Sequence, residues 1–109
     1  MNWVYMKGIP IDAQFLYRKA LELVQQERYE IALRYFRQAT VIAPTYAKAY
    51  LAMAACHYYL ARYDDAIRLF TCAIEIDPAC EEARIQRDMV MNLRELQGRI
   101  PQQSTGMPF

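Results

Sequence analysis

Apolar residues recur every three or four positions through most of this chain, which is the spacing of one buried face of an α-helix. Short polar residues, prolines and a glycine interrupt this pattern, and such residues mark helix ends. Asp12 and Thr45 are placed to cap two helices, and Gly98 is placed to end the last one. The pattern therefore predicts an all-α fold of five helices, over about 13–26, 30–42, 46–60 and 64–77, and from 79 or 80 to 97.

The chain also repeats itself at an offset of 34 residues. The offset relates pairs of identical residues: Ala13/Ala47, Ala20/Ala54, Arg28/Arg62, Tyr29/Tyr63, Ala32/Ala66, Arg34/Arg68, Phe36/Phe70, Ala39/Ala73, Ile42/Ile76 and Pro44/Pro78. Such a period is typical of one supersecondary unit copied in tandem, in which no copy buries its apolar face alone. We expect repeats over 13–46 and 47–80, an N-terminal segment over 1–12, a capping helix over 81–98 and a flexible tail over 99–109.

The repeated residues resemble a known family signature. The second copy reads Tyr50-x2-Met53-Ala54-x2-His57, then Ala66-x3-Phe70 and Pro78, and the first reads Leu16-x2-Lys19-Ala20-x2-Leu23, then Ala32-x3-Phe36 and Pro44. This arrangement is similar to the tetratricopeptide repeat, with departures at Lys19, where the family usually has Leu, and at His57, where it usually has Tyr. The resemblance implies helix-turn-helix units stacked as a solenoid, a right-handed superhelix whose concave groove is lined by the first helix of each unit.

The composition fits one globular domain of 109 residues with 55% apolar content. The longest uncharged stretch, 49–61, is too short to span a bilayer, and the first residues lack the pattern of a signal peptide. Three cysteines without a Cys-x-x-Cys motif fit a reducing compartment, so we expect a cytoplasmic protein. A net charge of +1 without long runs of one sign gives no footprint for nucleic acid or a membrane surface, and neither is expected as a partner.

Catalytic and metal-binding chemistry find no support in the sequence. The single histidine, His57, adjoins Cys56, but consecutive helix residues point about 100° apart and do not form a nucleophile and base pair. Cys72 and Cys80 have no second close pair of ligands, so they do not match a zinc site. We expect a hydrogen-bonded interior imidazole at His57, no enzymatic activity, no metal and no other cofactor.

The resemblance also implies which residues line the groove. These positions are Gln14, Tyr17, Leu21, Gln25, Lys48, Leu51, Ala52, Ala55, Tyr59, Glu82, Ile85, Gln86 and Met89. Tyr17, Tyr58 and Tyr59 are the preferred contact residues, because tyrosine offers a rigid apolar body with one hydrogen-bonding tip. The alternative for the larger apolar positions is packing across neighbouring helices without any ligand: Leu21, Leu51, Ile85 and Met89.

The family's carboxylate clamp, which grips the acidic C-terminal tails of heat-shock chaperones through Lys, Asn and Arg, is not expected. The matching positions hold none of those residues: Tyr17, Leu21, Ala52, Glu82 and Gln86. Lys48 is the one cation placed in the groove, and a single Lys holds at most one carboxylate. An extended or helical segment with apolar anchors is the better predicted ligand.

The exposed edges of the stack need cover, because two repeats are fewer than the three usually required for stability. The candidates are the Trp3-Val4-Tyr5-Met6 segment, the last helix and a second copy of the chain. The last helix suits an end, because charged residues replace those that should face the second helix of a repeat: Arg84, Arg87 and Asp88 stand for Tyr50, Met53 and Ala54.

Two functions stay open on this sequence. The first is a non-catalytic protein-protein interaction module, a small adaptor or chaperone-like protein that holds a peptide or helix of another protein in its groove. The second is a self-assembling structural unit that forms homo-oligomers through its apolar edges, with a neighbour's terminus, such as 107–109, filling the groove.

Overall fold

The computed structural model describes residues 8–99 as five α-helices, with no β-strand in that range. The helices are α1 (Ile11–Gln25), α2 (Tyr29–Ile42), α3 (Ala47–Tyr59), α4 (Tyr63–Ile76) and α5 (Glu81–Arg99). Each helix packs against the next one along the chain. The predicted all-α helical repeat is confirmed. The expectations for Trp3–Met6 and for residues 100–109 concern positions outside the described range.

The predicted side-chain caps are wrong. α1 begins one residue after Pro10 without a side-chain cap, and Asp12 lies inside its first turn, where its charge favours the helix dipole. α3 follows Tyr46 rather than Thr45, again without a side-chain cap. The side chain of Tyr46, at the cap position, is instead buried in the apolar core.

The last helix is displaced at both ends from its predicted range. It begins at Glu81, rather than one or two residues earlier, and continues through Gly98 to Arg99. Glycine lowers helix propensity by about 1 kcal/mol, but it ends a helix only where the chain turns into the left-handed conformation. The predicted stop at Gly98 is therefore wrong.

The turn between the two helices of each repeat has one shared geometry. Glu27 and Ala61, which are equivalent positions, both adopt φ of 61°. In the second repeat the Arg62 N–H donates to the His57 carbonyl at 2.8 Å, and the first repeat has the same bond between equivalent residues at 2.9 Å. This is the Schellman arrangement, which usually has glycine at the left-handed residue. Both repeats build it without glycine.

The core consists of two apolar clusters, each centred on an equivalent phenylalanine. Phe36 and Phe70 are almost completely buried, and burying such a side chain contributes about 1.5–3 kcal/mol to folding. The first cluster joins α1, α2 and one face of α3, and the second joins α3, α4 and α5. Met53 belongs to the first cluster, which also includes residues of the preceding repeat and Leu69 of α4.

Candidate functional site

A hollow of about 380 Å³ lies between α3 and α5. Its lining consists of seven uncharged side chains: Ala55, Tyr58, Tyr59, Phe70, Gln86, Met89 and Val90. Phe70 and Val90 are nearly inaccessible and form its floor. Tyr59 is 59% exposed and Met89 is 50% exposed, and these two residues form its rims. The hollow exists because Ala55 has only a methyl group at this point of α3.

The hollow brings together five of the residues predicted for the groove: Ala55, Tyr58, Tyr59, Gln86 and Met89. Gln86 is the polar member opposite the tyrosines, and its amide donates to the Glu82 carboxylate at 3.0 Å. That bond holds the amide along α5. The lining therefore offers a mostly apolar surface with one oriented amide and two phenol groups.

Other predicted groove residues lie elsewhere. Leu21 and Ala52 pack on the first cluster and Leu51 on the second. Ile85, in contrast, is 63% exposed and extends the apolar rim along α5. Among the polar groove positions, Gln25, Lys48 and Glu82 are exposed. Gln14 is half-buried.

Tyrosine rings form the wall of the hollow on the α3 side. The rings of Tyr58 and Tyr59 meet edge to face with centroids 5.3 Å apart. Tyr59 also stacks on Tyr29 of α2, and Tyr58 contacts Tyr63 of α4 at 6.0 Å. Aromatic contacts of this kind fix ring orientation and contribute about 0.5–1.5 kcal/mol each beyond the area they bury. The wall is therefore preorganised.

Tyr17 does not line the hollow. Its ring packs between Phe36, at a centroid distance of 5.7 Å, and Tyr46, at 5.1 Å. Burial raises the pKa of the Tyr17 phenol, and the negative charge of Glu82 on α5 raises it further. The phenol thus stays neutral, and its main contacts are with the core.

Comparison with known proteins decides the family. Tetratricopeptide repeat models match residues 13–46 and 47–80. The chain belongs to the tetratricopeptide repeat (TPR) family. It is also similar to the DnaJ homolog subfamily C member 7 homolog of Dictyostelium discoideum, with 32% identity over 79 residues, which is 72% of this chain. The aligned stretch covers 14% of the length of that protein.

Two residues that line the hollow are not among those predicted for the groove of this TPR chain. Phe70 is a signature position of the TPR, and both Phe70 and Val90 are almost completely buried. Where the neighbouring residue on the first helix of a repeat is alanine, part of a core residue is left uncovered and forms the floor of a cavity. The small side chain of Ala55 is therefore the sequence signal for this hollow.

Cys56 and His57, the adjacent pair considered as nucleophile and base, are both buried. Burial raises the pKa of the Cys56 thiol to about 12, so the thiolate is scarce at neutral pH. His57 Nδ1 lies 4.0 Å from the Asp65 carboxylate and has no hydrogen-bond partner among the described residues. The imidazole is interior as expected, but Nδ1 makes no hydrogen bond within residues 8–99. Burial lowers the pKa of His57, and the Asp65 charge opposes that shift.

Residues 8–99 offer neither a metal site nor a membrane-spanning helix. That range contains no group of three or more His, Cys, Asp or Glu side chains placed to hold a metal ion. None of its helices has the length and apolar character needed to cross a bilayer. TPR repeats are in general non-catalytic modules that bind other proteins or peptides.

Proposed function

We propose that this TPR chain is an adaptor that binds an extended or helical segment of another protein in the hollow between α3 and α5. The observation that carries the proposal is the uncharged lining of about 380 Å³, with a tyrosine wall on one side and exposed Met89 on the other. A hollow of this size accepts one or two large apolar side chains, which is how apolar anchors of a bound peptide are held.

The chemistry of the lining defines the segment. No cation lines the hollow, so an acidic tail would find no partner there. Tyr58, Tyr59 and Gln86 supply hydrogen-bonding tips beside apolar surface, a combination that suits aromatic or aliphatic anchors together with exposed backbone groups. The stretch shared with a DnaJ homolog is consistent with an adaptor or chaperone-like role. The three free cysteines fit a cytoplasmic location.

Selection from a random-peptide phage library tests the proposal. Selected peptides should be rich in aromatic and aliphatic residues and should bind the wild-type chain. An Ala55→Gln substitution fills the hollow with a good helix former and should weaken binding at least tenfold. Val41→Gln, at an exposed position of α2 away from the hollow, is the matched control and should leave affinity unchanged. Equal binding by the Ala55→Gln variant would show that peptides dock elsewhere.

Self-assembly is the second candidate, and the apolar rim of α5 favours it. Ile85, Met89 and Leu96 are each about half exposed or more along this helix. If copies pair through the rim, sedimentation should show a concentration-dependent dimer, and Leu96→Glu should return it to a monomer. If the chain stays monomeric and binds peptides, self-assembly is excluded and the adaptor function is supported.

A further inference from the structure

Gln86 on α5 is the one side chain of the hollow whose hydrogen-bonding direction is fixed by a partner of known chemistry. Its amide nitrogen donates to the Glu82 carboxylate at 3.0 Å. An ionised carboxylate only accepts hydrogen bonds, so the nitrogen of the amide, and not its oxygen, must face Glu82. The amide oxygen is therefore the atom of Gln86 that is left to accept a hydrogen bond from a ligand.

The amide oxygen lies on the side of Gln86 that belongs to the hollow. Glu82, which the nitrogen contacts, is exposed and does not line the hollow. Met89 and Val90 follow Gln86 by three and four residues, so they share its face of the helix, and both line the hollow. Because the nitrogen and the oxygen of an amide point away from each other, the bond to Glu82 leaves the oxygen on the side of these two residues.

The remaining lining favours an aromatic side chain as the occupant. The rings of Tyr58 and Tyr59 form a wall whose orientation is held by contacts with other tyrosines. Met89 stands on the opposite rim, and a thioether makes favourable contacts with an aromatic ring. A flat ring between this wall and Met89 gains aromatic contacts that an aliphatic side chain does not make.

The free oxygen adds a requirement for a hydrogen-bond donor. An anchor that fills the hollow removes the Gln86 oxygen from water, and a buried acceptor without a partner is costly. No cation lines the hollow, and the Glu82 carboxylate lies beside it, so the local field favours the positive end of an N–H or O–H group. Phenylalanine has no such group. The indole N–H of tryptophan is a donor only and leaves no further atom to satisfy, whereas a tyrosine hydroxyl also carries lone pairs.

We propose that the hollow selects a tryptophan side chain of the bound segment. The indole ring lies between the tyrosine wall and Met89, and its N–H donates to the amide oxygen of Gln86. Glu82 is a positioning residue that acts through Gln86, because its carboxylate holds the amide with the oxygen free. This inference rests on the adaptor function proposed above and adds the identity of the anchor.

A pair of peptides that differ only in the donor tests the proposal. Peptides selected from the phage library should share a tryptophan at one position. The tightest of them is then synthesised with 3-benzothienylalanine at that position, which keeps the shape of the indole and has sulfur in place of the N–H. By calorimetry the wild-type chain should bind the tryptophan peptide about tenfold more tightly than its analogue.

Three variants of the chain show which residues set this ratio of affinities. Gln86→Leu removes the acceptor and should bind both peptides equally, with the affinity that the wild type has for the analogue. Gln86→Met is the second variant if Gln86→Leu reduces helix content by circular dichroism. Glu82→Ala frees the amide and should also lower the ratio. Gln38→Leu makes the same change at an exposed position of α2 and should keep the wild-type ratio.

The outcomes separate this proposal from the proposed function. If Ala55→Gln weakens binding but the peptides lack tryptophan, or bind equally well with the analogue, the tryptophan proposal is overturned and the adaptor function stands. A wild-type ratio in Gln86→Leu, or selection of arginine in place of tryptophan, would overturn it in the same way. If no peptide is selected, or if Ala55→Gln leaves binding unchanged, both proposals fail.

Discussion

The ring of Tyr59 on α3 stacks on the ring of Tyr29 on α2, with centroids 5.1 Å apart and planes 16° apart. Tyr59 is a wall of the hollow, whereas Tyr29 is not part of the lining. The first repeat therefore supports a binding surface built from the second repeat and α5. Any change that weakens the junction between the repeats should also loosen this wall.

Tyr29→Ala should lower both stability and peptide affinity although Tyr29 does not line the hollow. A double-mutant cycle of unfolding in urea with Tyr59→Ala should give a coupling energy of about 0.5–1.5 kcal/mol. Each single variant already loses the stacking contact, so the double variant does not lose it a second time. Tyr29→Phe keeps the ring and is the control. A coupling near zero would mean that the two rings contribute independently.

Ala61→Gly should stabilise the protein. The left-handed conformation costs an L-residue about 1–2 kcal/mol, and glycine avoids this cost while adding about 0.5–1 kcal/mol of unfolded-state entropy. The net gain is expected to be roughly 0.5 kcal/mol, visible as a higher urea midpoint. Ala61→Val should lower the midpoint, since a branched side chain fits φ of 61° poorly. The opposite order would contradict the assigned turn.

The stability of the fold should decrease as the pH falls below the pKa of an unfolded histidine. Burial lowers the pKa of His57, so the native state favours the neutral imidazole. The unfolded chain binds a proton first, at about pH 6.5, and the stability held above that pH is lost towards the lower native pKa. Urea midpoints at pH 7.5 and 5.5 should differ in the wild type and differ less in His57→Gln. An equal pH dependence in both proteins would place the effect on other groups.

The three thiols should react with a disulfide reagent in two stages. Cys72 and Cys80 are partly exposed, whereas Cys56 is buried with its pKa raised to about 12. At pH 8 the native chain should react quickly with two equivalents of a chromogenic disulfide reagent. The third thiol should react only in denaturant. Peptide mapping by mass spectrometry identifies which thiol is slow. Fast modification of Cys56 would indicate frequent opening of the junction between the repeats.

The offset of 34 residues and the helical period were sufficient to predict the fold. Repeated apolar positions such as Phe36 and Phe70 are core residues in both copies, because tandem units reuse one packing solution. Helix ends were predicted less well. Thr45 carries a good capping side chain, but α3 follows Tyr46, whose ring is buried in the core. Local helix propensity does not include such tertiary contacts.

The site was predicted in part for a related reason. The resemblance to the TPR implies the groove face that includes Ala55 and Met89, and both line the hollow. Spacing alone does not show how deeply a residue is covered by neighbouring helices. Tyr17 lies on the predicted face, but Phe36 and Tyr46 hold its ring in the core. The left-handed conformation of Glu27 and Ala61 could not be predicted from the sequence either, since neither residue is glycine or asparagine.

The charges at the two ends of the stack have a consequence for growth. A repeat unit with apolar faces at both ends adds further units head to tail, and such contacts extend into open filaments. Here Lys19 and Glu22 stand at one end, and exposed Arg84 and Asp88 stand at the other. Each added unit would have to strip water from these charges. That cost disfavours head-to-tail addition of a further unit at these two faces.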